Sequence, residues 1–159
     1  MSHEIDIFQS LLSQFGDSIR LPNLKVDNDG YCCLAFDAKV HVHMQVNRKT
    51  HNLIFFSELG TVNACDKLHT FTELLQANTN LPALQGCTLG YNPKTTMVTL
   101  AYQEPLRNFD FNRFEGFLRF FVESSQQWMD KLVDIKHSTY MPEGVFHADD
   151  YDTSQMLSV

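Results

Sequence analysis

No uninterrupted apolar run in the sequence approaches the roughly 20 residues that a membrane-spanning helix requires. The amino-terminal stretch MSHEIDIFQSLL has neither a basic start nor a long apolar core, so we expect no secretory signal there. Basic residues are also scarce, because 12 Lys and Arg stand against 19 Asp and Glu, for a formal net charge of −7. Nucleic acid and anionic membrane surfaces are therefore poor partners for this chain.

The sequence also lacks the short motifs that mark common catalytic sites. It contains no G-x-S-x-G, H-E-x-x-H or C-x-x-C pattern, and its 7 glycines are too dispersed to form a phosphate-binding loop. Cysteines number only 4, and the adjacent Cys32 and Cys33 would project to opposite faces of a strand. We expect free thiols in a reducing compartment, and a binding protein rather than an enzyme.

The segment KVDNDGYCCLAFD, residues 25–37, has the composition of a calcium-binding loop but the wrong register. If Gly30 takes the loop's glycine position, the first ligand position falls on Lys25 and the last on Phe36, and neither can bind calcium. The acidic residues are instead typical of a tight turn that leads into a strand.

His41 and His43 are the strongest metal candidates, because residues two apart on a strand project side by side. Zinc would require a third and fourth ligand, from His51 or a cysteine, and no spacing in the sequence supplies them. We expect no metal and no cofactor. A zinc- or cysteine-dependent α+β enzyme that uses His41 and His43 is the alternative to a binding protein.

Hydrophobic periodicity predicts a single α+β domain with the order α-β-β-β-α-β-β-α. Apolar residues recur at helical spacing in three segments and alternate with polar residues in most of the others. The prediction is a five-stranded, mainly antiparallel sheet with three helices. The predicted helices cover residues 5–15, 64–78 and 110–133, and the strands lie near 30–36, 40–46, 52–58, 87–92 and 96–102.

The last part of the sequence has no repeating period and is acidic, so we divide the chain into a domain over residues 1–135 and a loosely ordered tail over 136–159. The predicted third strand is apolar on both faces, with Leu53 and Phe55 on one and Ile54 and Phe56 on the other. Such a strand is expected to be covered on both sides. We expect a dimer interface and a docking surface, with a thick-cored monomer as the alternative.

Three sequence segments resemble the class I type III secretion chaperones, the Tir-chaperone (CesT-like) family. They are LPNL followed by VD-x-DG and YCCLAFD, then LLQANTNL at the end of the second helix, and finally FVESSQQWMDKL in the last helix. Their order extends over roughly residues 5–132. The resemblance implies a homodimer of the bacterial cytoplasm that holds the amino-terminal segment of a secreted effector extended and export-competent, without hydrolysing nucleotide.

The resemblance also implies two sets of site residues and a set of partners. The partners are the effector and a second copy of the chain, and the secretion ATPase or export apparatus is a further candidate. The implied effector-binding residues, on the first helix and the neighbouring strands, are Ile5, Phe8, Leu12, Leu34 and Phe36. The implied dimer residues, on the second helix and the strand after it, are Leu68, Phe71, Leu75, Leu89 and Tyr91.

Two features of the sequence lie outside the resemblance. One is the histidine-rich second strand with His41 and His43, and the other is the length of chain after Leu132. A dimeric adaptor that binds folded proteins is a third functional class compatible with the same apolar faces, and it would need no unfolded client segment.

Overall fold

The computed structural model describes residues 3–140, and the predicted element order is confirmed within it. No helix in this part of the chain is long and apolar enough to cross a membrane. Single 3-10 turns precede α2 and α4. The elements are α1 (His3–Ser18), β1 (Tyr31–Phe36), β2 (Val40–Asn47), β3 (Asn52–Thr61), α2 (Lys67–Thr79), α3 (Leu81–Leu84), β4 (Thr88–Asn92), β5 (Met97–Pro105) and α4 (Phe111–Tyr140).

The five strands form one antiparallel sheet in the order β1-β2-β3-β5-β4. Residues of each strand alternate between a buried inner face and a more exposed outer face, as in the burial of Val42 and Met44 against the exposure of His41. The helices pack on the inner face, so the outer face is open and the strands β1 and β4 form the two edges.

Phe55 lies at the centre of the core and joins the sheet to α4. Its side chain is 0% exposed. Its ring centroid is 5.1 Å from that of Phe117, 5.8 Å from that of Phe109 and 5.9 Å from that of Phe121. The Phe-rich stripe on the last predicted helix is therefore largely core.

A bidentate ion pair between Arg113 and Glu104, with Nη2–Oε1 at 2.8 Å, fixes the start of α4 on β5.

The segment before β1 is a turn, as its sequence predicts. One carboxylate oxygen of Asp27, Oδ1, accepts hydrogen bonds from the backbone N–H groups of Asp29 and Tyr31, both at 2.9 Å. Gly30 follows with φ +82°, and a Cβ at this position would lie 3.1 Å from the Cβ of Val46. Gly30 is needed for both its backbone conformation and its lack of a side chain. The acidic residues of this segment therefore build the turn.

Two boundaries differ from the sequence prediction. The sequence predicts no helix between residue 78 and the strand near residue 87, but the side chain of Asn80 accepts a hydrogen bond from the N–H of Ala83 and starts the short helix α3. The last helix continues through Tyr140, because Leu132 and Ile135 are still buried against the rest of the domain. The first five residues of the predicted tail, 136–140, are thus helical, and residues 141–159 lie outside the described residues.

All four cysteines are free thiols, and two of them are buried. Burial raises the pKa of Cys87 to about 12 and, together with the neighbouring Cys33 and Asp27, that of Cys32 to about 11. Cys33 is exposed on the opposite face from Cys32, as predicted, and Cys65 is also exposed. Disulfide bonds are therefore not part of this fold.

We expect N-ethylmaleimide at pH 8 to modify Cys33 and Cys65 rapidly and Cys32 and Cys87 slowly. Because the reactive species is the thiolate, raising the pKa from 9.0 to about 11 or 12 lowers its population roughly 100-fold for Cys32 and 1,000-fold for Cys87. Mass spectrometry of peptides at successive times measures the difference, and labelling in guanidinium chloride is the control for full access. Equal rates for Cys65 and Cys87 in the native protein would contradict the described packing.

Candidate functional site

His41 and His43 lie on the outer face of β2, where the sequence raised the alternative of a metal site. His43 Nδ1 is 2.7 Å from the hydroxyl of Tyr31, and its ring stacks on Phe56 at 4.6 Å between centroids. Cys33 is the register partner of His43 on β1. Within residues 3–140 no group of three or more His, Cys, Asp and Glu side chains is arranged to hold a metal ion. The geometry gives His43 a phenol and an aromatic ring as partners, and does not support the zinc alternative.

The predicted dimer residues lie together on the face formed by α2 and β4. Leu68 is 82% exposed and Leu75 is 69% exposed, which is unusual for leucines at helical spacing. Phe71 packs on Tyr91 with ring centroids 4.7 Å apart. Leu89 is buried within the protomer, but it still lines the groove between α2 and β4. Four of the five predicted residues, Phe71, Leu75, Leu89 and Tyr91, line the α2–β4 groove, which has a volume of about 280 Å³ and is completed by Leu74, Asn78 and Gly90. Leu68 lies on α2 but does not line this groove.

Two polar contacts hold α2 in place behind this groove. The side chain of Asn78 donates to the carbonyl of Leu89 at 3.0 Å and accepts from its N–H at 2.9 Å, so it substitutes for a neighbouring strand at this point of β4. Lys131 on α4 forms an ion pair with Glu73, and this hydrogen bond lowers the pKa of the Glu73 carboxyl. Neither contact was predicted from the sequence. The apolar groove is thus built on a fixed helix.

Three of the five predicted effector-binding residues are in the core of the protomer. Ile5, Phe8 and Leu12 are each 0% exposed. Phe8 lies edge-on to Phe114 of α4 at 6.3 Å, because α1 turns its whole apolar stripe toward the sheet and α4. In this conformation Ile5, Phe8 and Leu12 present no surface to a bound polypeptide, so their burial does not support the sequence-based assignment.

The other two predicted residues, Leu34 and Phe36 on the edge strand β1, are partly exposed. Phe36 lines a second apolar groove, of about 260 Å³, between the end of α1, β1 and α4. Ile19, which is 40% exposed, and the partly exposed Val122 contribute to it, and neither was predicted from the sequence. We call it the α1–α4 groove; its lining residues are Phe15, Ile19, Phe36, Glu115, Leu118, Arg119, Val122 and Glu123.

The α1–α4 groove combines an apolar floor with charged side chains of both signs. Glu115, Arg119 and Glu123 recur every four residues along α4, so they lie on one side of that helix. The backbone of β1 is beside the groove at the edge of the sheet. A sheet edge beside an apolar groove can bind an extended chain through its main chain and one or two of its side chains. The arrangement therefore suits a polypeptide ligand.

Solved structures with a similar arrangement of helices and strands include complexes of secretion chaperones. A chain of the ExsC–ExsE complex superimposes with a TM-score of 0.70 at 21% identity, over 83% of this chain and 97% of that chain. A chain of the HopA1–SchA chaperone–effector complex gives 0.66 at 15% identity, over 82% and 98%. The Yersinia pestis type III secretion chaperone SycH with a YscM2 fragment gives 0.57 at 17% identity, over 80% and 98%. At these sequence identities, the structural similarity establishes the fold alone.

The family itself is shown by the sequence. The model of the Tir chaperone protein (CesT) family matches residues 10–129, which are 120 of the 159 residues. No curated protein matches the chain. The chain belongs to the Tir chaperone protein (CesT) family, and the resemblance stated from its sequence segments is confirmed.

Proposed function

We propose that this protein is a chaperone of the bacterial cytoplasm for type III secretion, which binds the amino-terminal segment of a secreted effector and keeps it extended for export. The observation that carries the proposal is the α1–α4 groove beside the free edge of β1, in a chain of the Tir chaperone family. Phe36, Ile19 and Val122 are the proposed contact residues. They replace Ile5, Phe8 and Leu12, whose side chains are enclosed in the protomer.

One such groove is too small to hold a long unfolded segment. Burial of one Leu or Phe side chain contributes about 1.5–3 kcal/mol, whereas each ordered residue of the client costs about 1–2 kcal/mol of backbone entropy. Several apolar contacts and main-chain hydrogen bonds at a sheet edge must therefore act together. A second copy of the chaperone would double the number of grooves and raise the effective concentration of the second set.

A homodimer through the α2–β4 groove is accordingly part of the proposal. The exposed Leu68 and Leu75 project from the same helix that lines the groove, so two copies related by a two-fold axis can exchange them. This use of the groove explains the exposure of Leu68 and Leu75, which are the two most exposed large apolar side chains of the described residues. In the proposed dimer the two α1–α4 grooves are left open to the client.

Replacing Ile19 or Val122 with aspartate is expected to abolish client capture, because a carboxylate in the α1–α4 groove cannot be desolvated by an apolar client side chain. The protein is coexpressed with amino-terminal fragments of the secreted proteins encoded beside it, and copurification is quantified. We expect at least a tenfold loss for each variant. Gln14→Asp, on an exposed position of α1 outside the groove, is the matched control and should copurify as the unchanged protein does.

Phe8→Asp is not a useful test of binding, because Phe8 is 0% exposed and its substitution tests folding. Circular dichroism and the oligomeric state of each groove variant are measured to separate loss of binding from loss of structure. If Ile19→Asp and Val122→Asp fold, dimerise and still capture the fragment at full yield, the client does not bind in this groove.

A further inference from the structure

The rim of the α1–α4 groove carries three charged side chains that have no ionic partner in the described part of the protomer. They are Glu115, Arg119 and Glu123, which line the groove at intervals of four residues along α4. Opposite charges four residues apart on a helix can pair with each other. None of the ion pairs within residues 3–140 involves these three side chains, however, and they do not pair among themselves. Their charges are therefore available to a ligand.

This charged row lies directly outside the apolar floor of the groove. With 3.6 residues per turn, Val122 is turned about 40° from Leu118, and the next positions around the helix are Glu115, Arg119 and Glu123, in that order. The exposure of the side chains follows the same order, because Leu118 is 1% exposed, Val122 is partly exposed, and Arg119 and Glu123 are exposed. The surface of α4 thus passes from core to apolar floor to charged rim.

The spacing of the row matches that of an extended polypeptide. Glu115 and Glu123 are eight residues apart, which is about 12 Å along a helix axis. Four residues of an extended chain cover about 13 Å at roughly 3.3 Å each. Every second residue of an extended client laid along α4 would therefore meet one charge of the row. The free edge of β1 beside the groove favours this extended conformation.

The intervening residues of such a client would meet the apolar floor. Side chains of an extended chain alternate between two faces, so the two residues between the three matched positions point the other way. On the floor they would contact Ile19, Phe36 and Val122. Long charged side chains can keep their stems on the apolar surface and still bring their charged ends to the rim.

The other charges beside the groove do not alter this pattern. Asp17 and Arg20 flank Ile19, and Asp37 and Lys39 follow Phe36, so each pair is neutral in formal charge. The row itself has two glutamates and one arginine and is acidic, as is the whole chain with its net charge of −7. Basic residues at the two ends of the client segment are therefore favoured by the row and by the overall charge of the protein.

We propose that the α1–α4 groove selects client segments with the order basic, apolar, acidic, apolar, basic over five consecutive extended residues. The outer basic side chains pair with Glu115 and Glu123, the central acidic side chain pairs with Arg119, and the two apolar side chains cover the floor. The order is symmetric, so it holds for either direction of the client chain. This selectivity rests on the proposed function. The apolar contacts supply most of the affinity, and the charges discriminate among clients.

The first test selects binders from a phage-displayed library of random peptides on the immobilised full chain. Val122→Asp is the counter-selection target, because a carboxylate on the floor blocks the groove, and only peptides that fail to bind this variant are counted as groove binders. We expect the five-residue charge order to be enriched at least fivefold among them. Groove binders without this order, or with matching charges four and eight residues apart as in a helical client, would overturn the proposed selectivity and leave the groove as a binding site. If no peptide depends on Val122, the groove is not the client site, and the proposed function fails as well.

A charge-inverted variant tests whether the row itself causes the selectivity. Glu115→Lys, Arg119→Glu and Glu123→Lys are combined, and fluorescence anisotropy at low salt measures binding of a selected peptide and of the same peptide with inverted charges. The unchanged protein should prefer the selected peptide roughly tenfold, as expected for three exposed ion pairs. The variant should prefer the inverted peptide.

Asp134→Lys is the matched control, because it changes the net charge by the same amount at an exposed position of α4 outside the groove. It should keep the preference of the unchanged protein, and circular dichroism should show the same helix content in all three proteins. The proposal is overturned if the charge-inverted variant still prefers the selected peptide, or if Asp134→Lys reverses the preference to the same extent.

Discussion

Leu75→Asp is expected to make the chain monomeric at micromolar concentration, where the unchanged protein is expected to be a dimer. Leu75 is 69% exposed in the isolated protomer and lines the α2–β4 groove, so a symmetric interface would bury it twice. Burial of a leucine contributes about 1.5–3 kcal/mol, and a buried carboxylate adds a desolvation cost. A loss of about 3–6 kcal/mol per dimer would raise Kd by roughly two to four orders of magnitude.

Sedimentation equilibrium between 1 and 100 μM measures the effect, and Gln76→Asp is its matched control. Gln76 is an exposed neighbour on the same helix and does not line the groove, so the control adds the same charge outside the proposed interface. Both variants should keep the circular dichroism spectrum of the unchanged protein, because neither replaces a buried residue. A Leu75→Asp protein that dimerises as tightly as Gln76→Asp would show that α2 and β4 do not form the interface.

Most of the fold could be predicted because each helix and strand shows a local hydrophobic periodicity in the sequence. Val40, Val42 and Met44 alternate with polar residues, so the pattern of two residues per repeat identified β2 and its buried face before any contact was known. The short helix α3 was missed since Pro82 both ends one helix and starts the next, and only the hydrogen bond from Ala83 N–H to the Asn80 side chain decides between them.

The site was harder to predict, for a physical reason. An apolar stripe shows that a helix face is buried, but it does not show whether the same chain or a partner buries it. The stripe of α1 is covered within the protomer, so Phe8 is core, whereas Leu68 and Leu75 at similar spacing on α2 are left exposed. The difference depends on where α4 lies, and that is set by long-range packing.

Val122 is a groove residue that the sequence pattern does not distinguish from the core. It lies in the Phe-rich helix next to the buried Phe121, and the sequence pattern gives no reason to separate the two. In the structure Phe121 points to the core while Val122 forms the rim of the α1–α4 groove. The signals that could have identified the groove are an apolar residue directly after the end of a helix, as Ile19 is after α1, and an apolar residue beside a core position, as Val122 is beside Phe121.

Phe55→Ala is expected to destabilise the protein strongly, because Phe55 is the centre of the aromatic core. Its ring is 0% exposed and lies within 6.4 Å, between centroids, of the rings of Tyr102, Phe109, Phe114, Phe117 and Phe121. Removal leaves a cavity between sheet and α4 that the surrounding rings cannot fill, at a cost of about 3–5 kcal/mol. Since a domain of this kind is stable by about 5–15 kcal/mol, the variant approaches the limit of folding.

Phe56→Ala is the matched control, because the two residues are neighbours on β3 and point to opposite faces of the sheet. Phe56 is partly exposed and stacks on His43 at 4.6 Å, so its removal should cost about 1–1.5 kcal/mol. Urea unfolding at one fixed protomer concentration compares the variants, since the proposed dimerisation would make stability depend on concentration. If Phe55→Ala does not fold, Phe55→Leu keeps most of the volume and should lose about 1–2 kcal/mol. Equal losses at positions 55 and 56 would mean that the outer face of the sheet is as deeply buried in solution as the core, and a partner would then have to cover it.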